Sequence, residues 1–94
     1  MENKLEFLGH VHLLGQNESQ ARDFARRFGM PRSQYTFLNS PQQVKSIDYP
    51  TVILLHLWVK QNWRQSHRLM HGLKNRHATF IKEYEIEKAF GAEV

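Results

Sequence analysis

The stretch TVILLHLWV, residues Thr51–Val59, decides the fold. It is almost continuously apolar, and β-branched side chains are concentrated at its start. A strand with one face in water alternates apolar and polar side chains, whereas a strand covered by helices on both faces is apolar throughout. The stretch therefore predicts a central strand of a parallel sheet. Pro50 precedes it, which suits the entrance of a strand rather than its middle.

Upstream of this strand, the sequence predicts two further strands and a short helical turn. Leu5 to about His12 is rich in apolar residues that alternate with polar ones, which predicts a buried first strand. The aromatic and β-branched run Gln34–Leu38 predicts a second strand. Ser40 as an N-cap, followed by Pro41, predicts a short helical turn that ends near Ser46.

A helix is clearly marked between the first two strands. Asn17 is placed to cap it, and Gln20, three residues later, is placed to be the capping-box partner. Gly29 suits the left-handed position that ends a helix, and Pro31 blocks its continuation. One apolar face recurs at helical spacing and consists of Ala21, Phe24, Ala25 and Phe28.

Downstream of the central strand, the sequence predicts a second helix and a last strand. The helix is expected from about Gln61 to Lys74. Its predicted buried stripe is Trp63, Met70 and Leu73, with Ser66 in the gap and Leu69 beside it. Strand character resumes in Ala78–Glu87, where apolar residues come to alternate with acids. The residues from about 87 onward are expected to form a short C-terminal tail.

The order of these elements predicts the fold class. Strands that alternate with helical segments are typical of a parallel sheet with helical crossovers. The 94 residues suit one hydrophobic core. We expect a single α/β domain over residues 1–94, with a three- to four-stranded, mainly parallel, Rossmann-like sheet. Ligands of such sheets bind at the carboxyl ends of the strands, which here would carry Gly9–Gln16, Asn39–Ser40 and Lys60–Asn62.

The order LGHVH…ARDFARRFGMPRSQYTFLNSPQQVKSID…PTVILLHLWVK resembles a group of small, uncharacterised α/β proteins encoded by bacteriophages. Their pattern is a strand ending in Gly, a helix reading ARxFAR, a GLPR break, a tyrosine-bearing strand, and an apolar strand ending in an aromatic pair. The resemblance covers roughly Leu5 to Arg76, although LHLWVKQNW stands where a glycine-rich ending is usual. It implies a Rossmann-like fold and an accessory protein of the host cytoplasm, and it brings no catalytic signature.

Charge is distributed unevenly along the chain, whose formal net charge is +4. No acidic residue lies between Asp48 and Glu83, and four of the nine acids lie in the last twelve residues. Such asymmetry indicates an anionic partner more strongly than the overall charge does. The basic residues of the acid-free interval are Lys60, Arg64, Arg68, Lys74, Arg76 and Lys82.

The second helix is the candidate binding surface. At about 100° per residue, most of its cations and two histidines fall in one narrow sector. The predicted anion- or nucleic-acid-binding residues are Lys60, Arg64, His67, Arg68, His71, Lys74 and Arg76. Histidine gains positive charge in the weakly acidic range, so His67 and His71 are expected to strengthen phosphate binding as the pH falls. Solvated helix faces are often charged, and the terminal glutamates could fold back and pair with these cations, so both alternatives stay open.

Enzymatic and metal-binding interpretations have less support. His67 and His71 have the spacing of two metal ligands on a helix, but Arg68 stands where a zincin has glutamate, and the chain has no cysteine. The first strand–helix connection holds only Gly9 and Gly15, which match neither GxGxxG nor a P-loop. We predict no metal site, no cofactor and no enzymatic activity. Trp58 and Trp63 are interpreted as structural residues.

These patterns lead to a main functional hypothesis and an alternative. The first is a non-enzymatic, phage-type accessory protein of the cytoplasm that presents a basic helix, about residues 60–76, to nucleic acid or an acidic host protein. The alternative is a degenerate nucleotide or small-anion binder that uses the first strand–helix loop, with Asn17 and Ser19 near the anion. No membrane partner is expected, because the longest apolar run is too short to cross a bilayer.

Overall fold

A four-stranded, all-parallel sheet forms the centre of the protein. The computed structural model describes residues 2–56, 58 and 63–90, and for Trp63 the backbone alone. The strands are β1 (Val11–Leu14), β2 (Tyr35–Phe37), β3 (Thr51–Leu54) and β4 (Thr79–Lys82), in the spatial order β2-β1-β3-β4. β3 pairs with β1 on one edge and with β4 on the other, as expected for a central strand. The predicted parallel α/β sheet is confirmed.

Helical segments connect the strands and cover both faces of the sheet. α1 (Glu18–Arg27) joins β1 to β2, a 3₁₀ turn (Pro41–Val44) lies between β2 and β3, and α2 (Trp63–Asn75) joins β3 to β4. α3 (Glu83–Phe90) follows β4 directly, and shorter 3₁₀ turns span Glu6–Leu8 and Arg32–Gln34. The chain therefore winds outward in both directions from the gap between β1 and β3.

The side chains of the strands alternate between two hydrophobic clusters. Leu13 and Ile53 belong to the cluster under α1, which also contains Ile86 of α3. Leu14 and Val52 belong to the cluster under α2 and the Pro41–Val44 turn. β1 and β3 thus each contribute to a core on both faces, and this explains why the sequence of β3 does not alternate. The result is three layers, with α1 and α3 on one side of the sheet and α2 on the other.

Asn17 and Gly29 end α1 as the sequence predicts, but the predicted capping box is wrong, because the Gln20 side chain accepts a hydrogen bond from the Gln16 N–H and not from the Asn17 N–H. The Asn17 side chain accepts a hydrogen bond from the Gln20 backbone N–H at 2.9 Å. Gly29 has φ +71°, the left-handed conformation expected of the residue after a helix. The predicted apolar face of α1 is buried in the cluster under α1. Ser40 caps the Pro41–Val44 turn in a capping box, which confirms the predicted short turn.

The first strand begins later than predicted. The expected strand from Leu5 to His12 is wrong for every residue before Val11, because Glu6–Leu8 form a 3₁₀ turn and β1 spans Val11–Leu14. The Gln34 side chain donates hydrogen bonds to the carbonyls of Leu5 and Gly9, at 2.8 and 2.9 Å, and so holds the turn closed. Leu5 is fully buried even though it lies outside the sheet. An apolar residue before a strand therefore resembled part of the strand.

The C-terminal prediction is wrong beyond Lys82. Tyr84 and Ile86 alternate with acids as a strand would, yet Glu83–Phe90 form α3. Ile86 and Phe90 have i,i+4 spacing and both pack against the cluster under α1, whereas Tyr84 is exposed. The packing of Ile86 and Phe90 against this cluster therefore favours a helix over the strand that the alternating residues predicted. The expected tail from about residue 87 is helical through residue 90, and residues 91–94 lie outside the described part.

His12 supplies a test of the packing around β1. Its side chain is 9% exposed, and its Nδ1 has no hydrogen-bond partner among the described residues. Burial lowers the pKa of His12 below 6.5, and the neighbouring His10 lowers it further. Since the unfolded chain then binds the proton more tightly, stability is present above about pH 6.5 and is lost as the pH falls towards the lowered folded pKa.

We expect the free energy of unfolding in urea to be smaller at pH 5.5 than at pH 7.5, with part of that decrease absent in His12→Leu. The difference between the two proteins, measured at each pH, isolates the contribution of His12. A difference that stays constant across this range would contradict the assigned burial of a neutral imidazole.

Candidate nucleic-acid interface

α2 is oriented by a narrow buried stripe. Ser66, Leu69 and Leu73 are 1%, 0% and 0% exposed, and the two leucines pack in the cluster under α2. The predicted stripe is therefore wrong at Met70, which is only partly buried, while the side chain of Trp63 lies outside the described part. Ser66, which was predicted to lie in the gap of the stripe, is itself one of its buried residues. The observed stripe fixes the opposite face of α2 towards solvent.

The outward face of α2 carries most of the predicted site. Five of the seven predicted residues have exposed side chains on this helix, and their spacing places them away from the buried stripe. We call this surface the basic face. It consists of Arg64, His67, Arg68, His71 and Lys74. Lys60 lies outside the described residues.

Arg76 is placed differently from the basic face. It lies just beyond α2 and its guanidinium is 3.4 Å from the Asp48 carboxylate. The same guanidinium donates a hydrogen bond to the Lys45 carbonyl. Arg76 therefore holds the segment after the Pro41–Val44 turn against the end of α2, and its charge is partly balanced by Asp48.

The described glutamates of α3 that form ion pairs do so on the other side of the sheet. Arg27 of α1 is 3.1 Å from Glu83 and 3.4 Å from Glu87. Glu83 also accepts a hydrogen bond from the His56 backbone N–H at 2.7 Å. The alternative in which the terminal acids cover the basic helix is therefore wrong for Glu83 and Glu87, and Glu93 lies outside the described residues.

A groove of about 680 Å³ lies beside the basic face, between α2 and the segment that leads into β3. Arg68, His71 and Gly72 line it from α2, and Pro41 and Val44 line it from the 3₁₀ turn. Its far end is formed by residues just before β3 and β4, which are the amino ends of these strands. The remaining lining residues are Lys45, Asp48, Tyr49, Asn75, Arg76 and His77.

Two aromatic rings stack at the end of this groove. The Tyr49 and His77 ring centroids are 5.6 Å apart, with an interplanar angle of 21°. Both residues have a left-handed backbone, with φ of 53° and 58°. Neither was predicted as a site residue, because their proximity depends on the pairing of Thr51 with Thr79, two positions further along each strand. That register cannot be read from either segment alone.

The crevice that holds ligands in doubly wound sheets is closed by a side chain. At the carboxyl ends of β1 and β3, the Gln20 amide accepts a hydrogen bond from the Gln16 N–H at 2.6 Å. The same amide donates to the His56 carbonyl, which follows β3. A Cβ atom on Gly15 would be only 2.6 Å from the Gln20 amide oxygen, so the fit around this amide is close. Gln20 thus occupies the position where the alternative hypothesis would place an anion.

A second cavity, of about 420 Å³, lies at the carboxyl ends of β3 and β4. It is lined by Arg27, Glu83 and Glu87, which form the ion pairs described above, together with His56 and Trp58. Trp58 is partly buried and packs against the cluster under α2, as expected for a structural residue. Arg27, Glu83 and Glu87 are paired with one another in this cavity, and the Lys82 ammonium lies over the Tyr84 ring.

The described residues contain no group of three or more histidine and acidic side chains placed to hold a metal ion. His67 and His71 therefore lack a third ligand within that part of the chain. None of its helices is long and apolar enough to cross a membrane.

No family model, curated protein or solved structure matches the chain. The resemblance to small phage-encoded α/β proteins thus stays a prediction.

The Gln20 amide is expected to stabilise the fold. Gln20→Ala removes two hydrogen bonds that join the ends of β1 and β3, and should lower the free energy of unfolding by about 1–2 kcal/mol. Gln16→Ala is the matched control, because it keeps the backbone N–H that Gln20 accepts from, and should change stability by less than about 0.5 kcal/mol. Urea denaturation monitored by circular dichroism measures both. Equal stability of the two variants would show that Gln20 does not hold the crevice closed.

Proposed function

We propose that the chain is a non-enzymatic accessory protein that binds nucleic acid through the basic face of α2. The observation that carries the proposal is the exposure of five basic or histidine side chains on one face of a helix that has no acidic residue. The glutamates nearest in sequence on the C-terminal side, Glu83 and Glu87, pair with Arg27 on the other side of the sheet. Among the described residues, no acidic side chain is paired with Arg68, His71 or Lys74, so this part of the basic face is accessible to an external anion.

The energetics of like charges support an external polyanion. Arg64, Arg68 and Lys74 lie within about three turns of one helix. Of these, Arg64 and Arg68 have i,i+4 spacing, at which a pair of like charges costs a few tenths of a kcal/mol. A phosphate backbone offsets this cost and gains free energy from the release of its own counterions. From Arg64 to Lys74 the helix rises about 15 Å, which is long enough to contact several phosphates.

The chemistry of the surface favours nucleic acid over an acidic protein. Protein interfaces depend on large apolar or aromatic anchors at their centre. In the described part of the chain, the exposed large hydrophobic residues are Phe7, Tyr49 and Tyr84, none of which lies on α2. A face of cations and histidines without such an anchor suits phosphate contacts better than a protein interface.

Following the resemblance to phage-encoded proteins, we place its action in the host cytoplasm, where nucleic acid is abundant. The nucleotide-binding alternative at the first strand–helix loop has less support, because Gln20 fills the crevice and Asn17 accepts from the Gln20 N–H at the start of α1.

Charge reversal on the basic face is the direct test. Arg68→Glu with Lys74→Glu should reduce affinity for a fluorescein-labelled DNA by at least about tenfold at 50 mM salt. It should also make the slope of log affinity against log salt shallower by about 2, because each lost phosphate contact removes about one counterion. Fluorescence anisotropy over a salt series measures both quantities.

The control variant changes the net charge equally on the opposite side of the sheet. Arg22→Glu with Lys88→Glu alters exposed cations of α1 and α3 and should leave most of the affinity and the salt slope intact. Equal losses in the two variants would indicate a non-specific effect of net charge and would contradict the assignment to α2. Undetectable binding by the unaltered protein at low salt would refute nucleic acid as the partner and leave an acidic protein as the occupant to test.

A further inference from the structure

We infer that the groove beside α2 holds an unpaired base of single-stranded nucleic acid, stacked on the Tyr49–His77 pair. This inference rests on the proposed function and names its substrate class. The groove adjoins the basic face directly, because Arg68 and His71 belong to both. A strand whose phosphates follow α2 can thus place a base in the groove without leaving the surface.

The aromatic pair has the form of a stacking platform. Tyr49 is 75% exposed although it is a large aromatic side chain, and its ring lies nearly parallel to that of His77. One aromatic ring supporting another leaves a flat, open π-face, on which any base can stack. Burial in the core does not explain this exposed ring.

The platform is held in place by the backbone. The Tyr49 N–H donates to the Arg76 carbonyl at 2.9 Å, and the His77 N–H donates to the Lys74 carbonyl at 3.1 Å. The Arg76 guanidinium in turn contacts the Asp48 carboxylate and the Lys45 carbonyl, which adds two further links between the segments before β3 and β4. Left-handed conformations of bulky residues persist only where the surrounding structure fixes them, and they are concentrated at functional sites.

The charges around the groove suit the backbone of a bound strand. Lys45, Arg68 and His71 line it, and Asp48 is the one acidic lining residue in the described part, where it pairs with Arg76. Phosphates on either side of a stacked base would therefore lie near Arg68 and His71 of α2 and near Lys45, which follows the Pro41–Val44 turn. The floor is apolar, formed by Pro41 and Val44 against Gly72.

A single strand fits this arrangement better than a duplex. Bases within a duplex have both faces covered by their neighbours, so they cannot stack on an external ring without being unpaired. A groove of about 680 Å³ is within the size range of small-molecule sites, and its opening along α2 lets the strand continue past it. The basic face alone would bind single and double strands by charge, whereas the groove distinguishes them.

The test separates stacking from charge. Anisotropy titrations at 50 mM salt compare a labelled 15-nucleotide oligothymidylate with a hairpin duplex of similar phosphate number. Tyr49→Ala should weaken single-strand binding by about 5- to 150-fold, the range of one lost base–aromatic stack, and change duplex binding by less than about twofold. Tyr49→Phe keeps the ring and should bind like the unaltered protein.

Two further variants keep the result interpretable. Tyr49→Gly removes the ring while suiting the left-handed backbone, so it should reproduce the effect of Tyr49→Ala without added strain. Tyr84→Ala removes another exposed tyrosine, on α3, and should have no effect on either ligand. Thermal unfolding of every variant confirms that the fold is retained.

An abasic oligonucleotide with the same number of phosphates identifies the base as the group recognised. The unaltered protein should bind it as weakly as Tyr49→Ala binds oligothymidylate, and Tyr49→Ala should not distinguish the two oligonucleotides. If single-strand binding is intact in Tyr49→Ala and Tyr49→Gly, the groove inference is overturned while binding through α2 stands. Absence of binding to any oligonucleotide overturns the proposed function itself. A thermal shift with thymidine 5′-monophosphate but no oligothymidylate preference would overturn the single strand in favour of a free nucleotide.

Discussion

The burial of β3 on both faces and both edges is the constraint on which the other elements depend. Val52 contributes to the cluster under α2, and Ile53 contributes to the cluster under α1. Their backbones are paired at the same time with β1 and β4. A strand in this position has no side left for water, so helices must cover both surfaces of the sheet. The three layers, and the separation of α2 from α1 and α3, follow from this one strand.

The separation of the layers also sorts the charges. The ion pairs of Arg27 with Glu83 and Glu87 join α1 to α3, beside the cluster under α1. α2, on the other side, has no acidic residue of its own, and Arg76 just after it is paired with Asp48. The sheet keeps the glutamates that bind Arg27 away from the basic face. An uneven charge distribution along the chain thereby becomes an uneven distribution in space.

Much of the fold could be predicted because local signals agree with the final packing. Asn17, Gly29 and the capped Ser40 turn act through neighbours in sequence, so their roles are visible without a structure. The errors concern places where distant contacts decide. Leu5 is buried because Gln34 closes the turn around it, and Ile86 lies in a helix because the surface beside α1 accepts it. Gln34 is distant in sequence from Leu5, and α1 is distant from Ile86. The alternation of apolar and polar residues around Leu5 and Ile86 therefore suggested strands instead.

The candidate site divides in the same way. The basic face was predictable from helical spacing, since one helix determines which of its side chains share a side. The groove was not, because Tyr49 and His77 come from segments 28 positions apart that meet only through the β3–β4 register. The position of Arg76 also depended on a distant partner, Asp48. A surface on one element can be read from the sequence, whereas a surface between elements requires the topology.

The amide of Gln20 has a consequence for what the stability of the sheet depends on. Many doubly wound domains leave the gap between their first two central strands open for a nucleotide, whose binding then adds to their stability. Here the chain supplies its own occupant, which joins Gln16 to His56 across that gap. This link between the two central strands is made within the chain, so its contribution to stability does not depend on the concentration of a ligand.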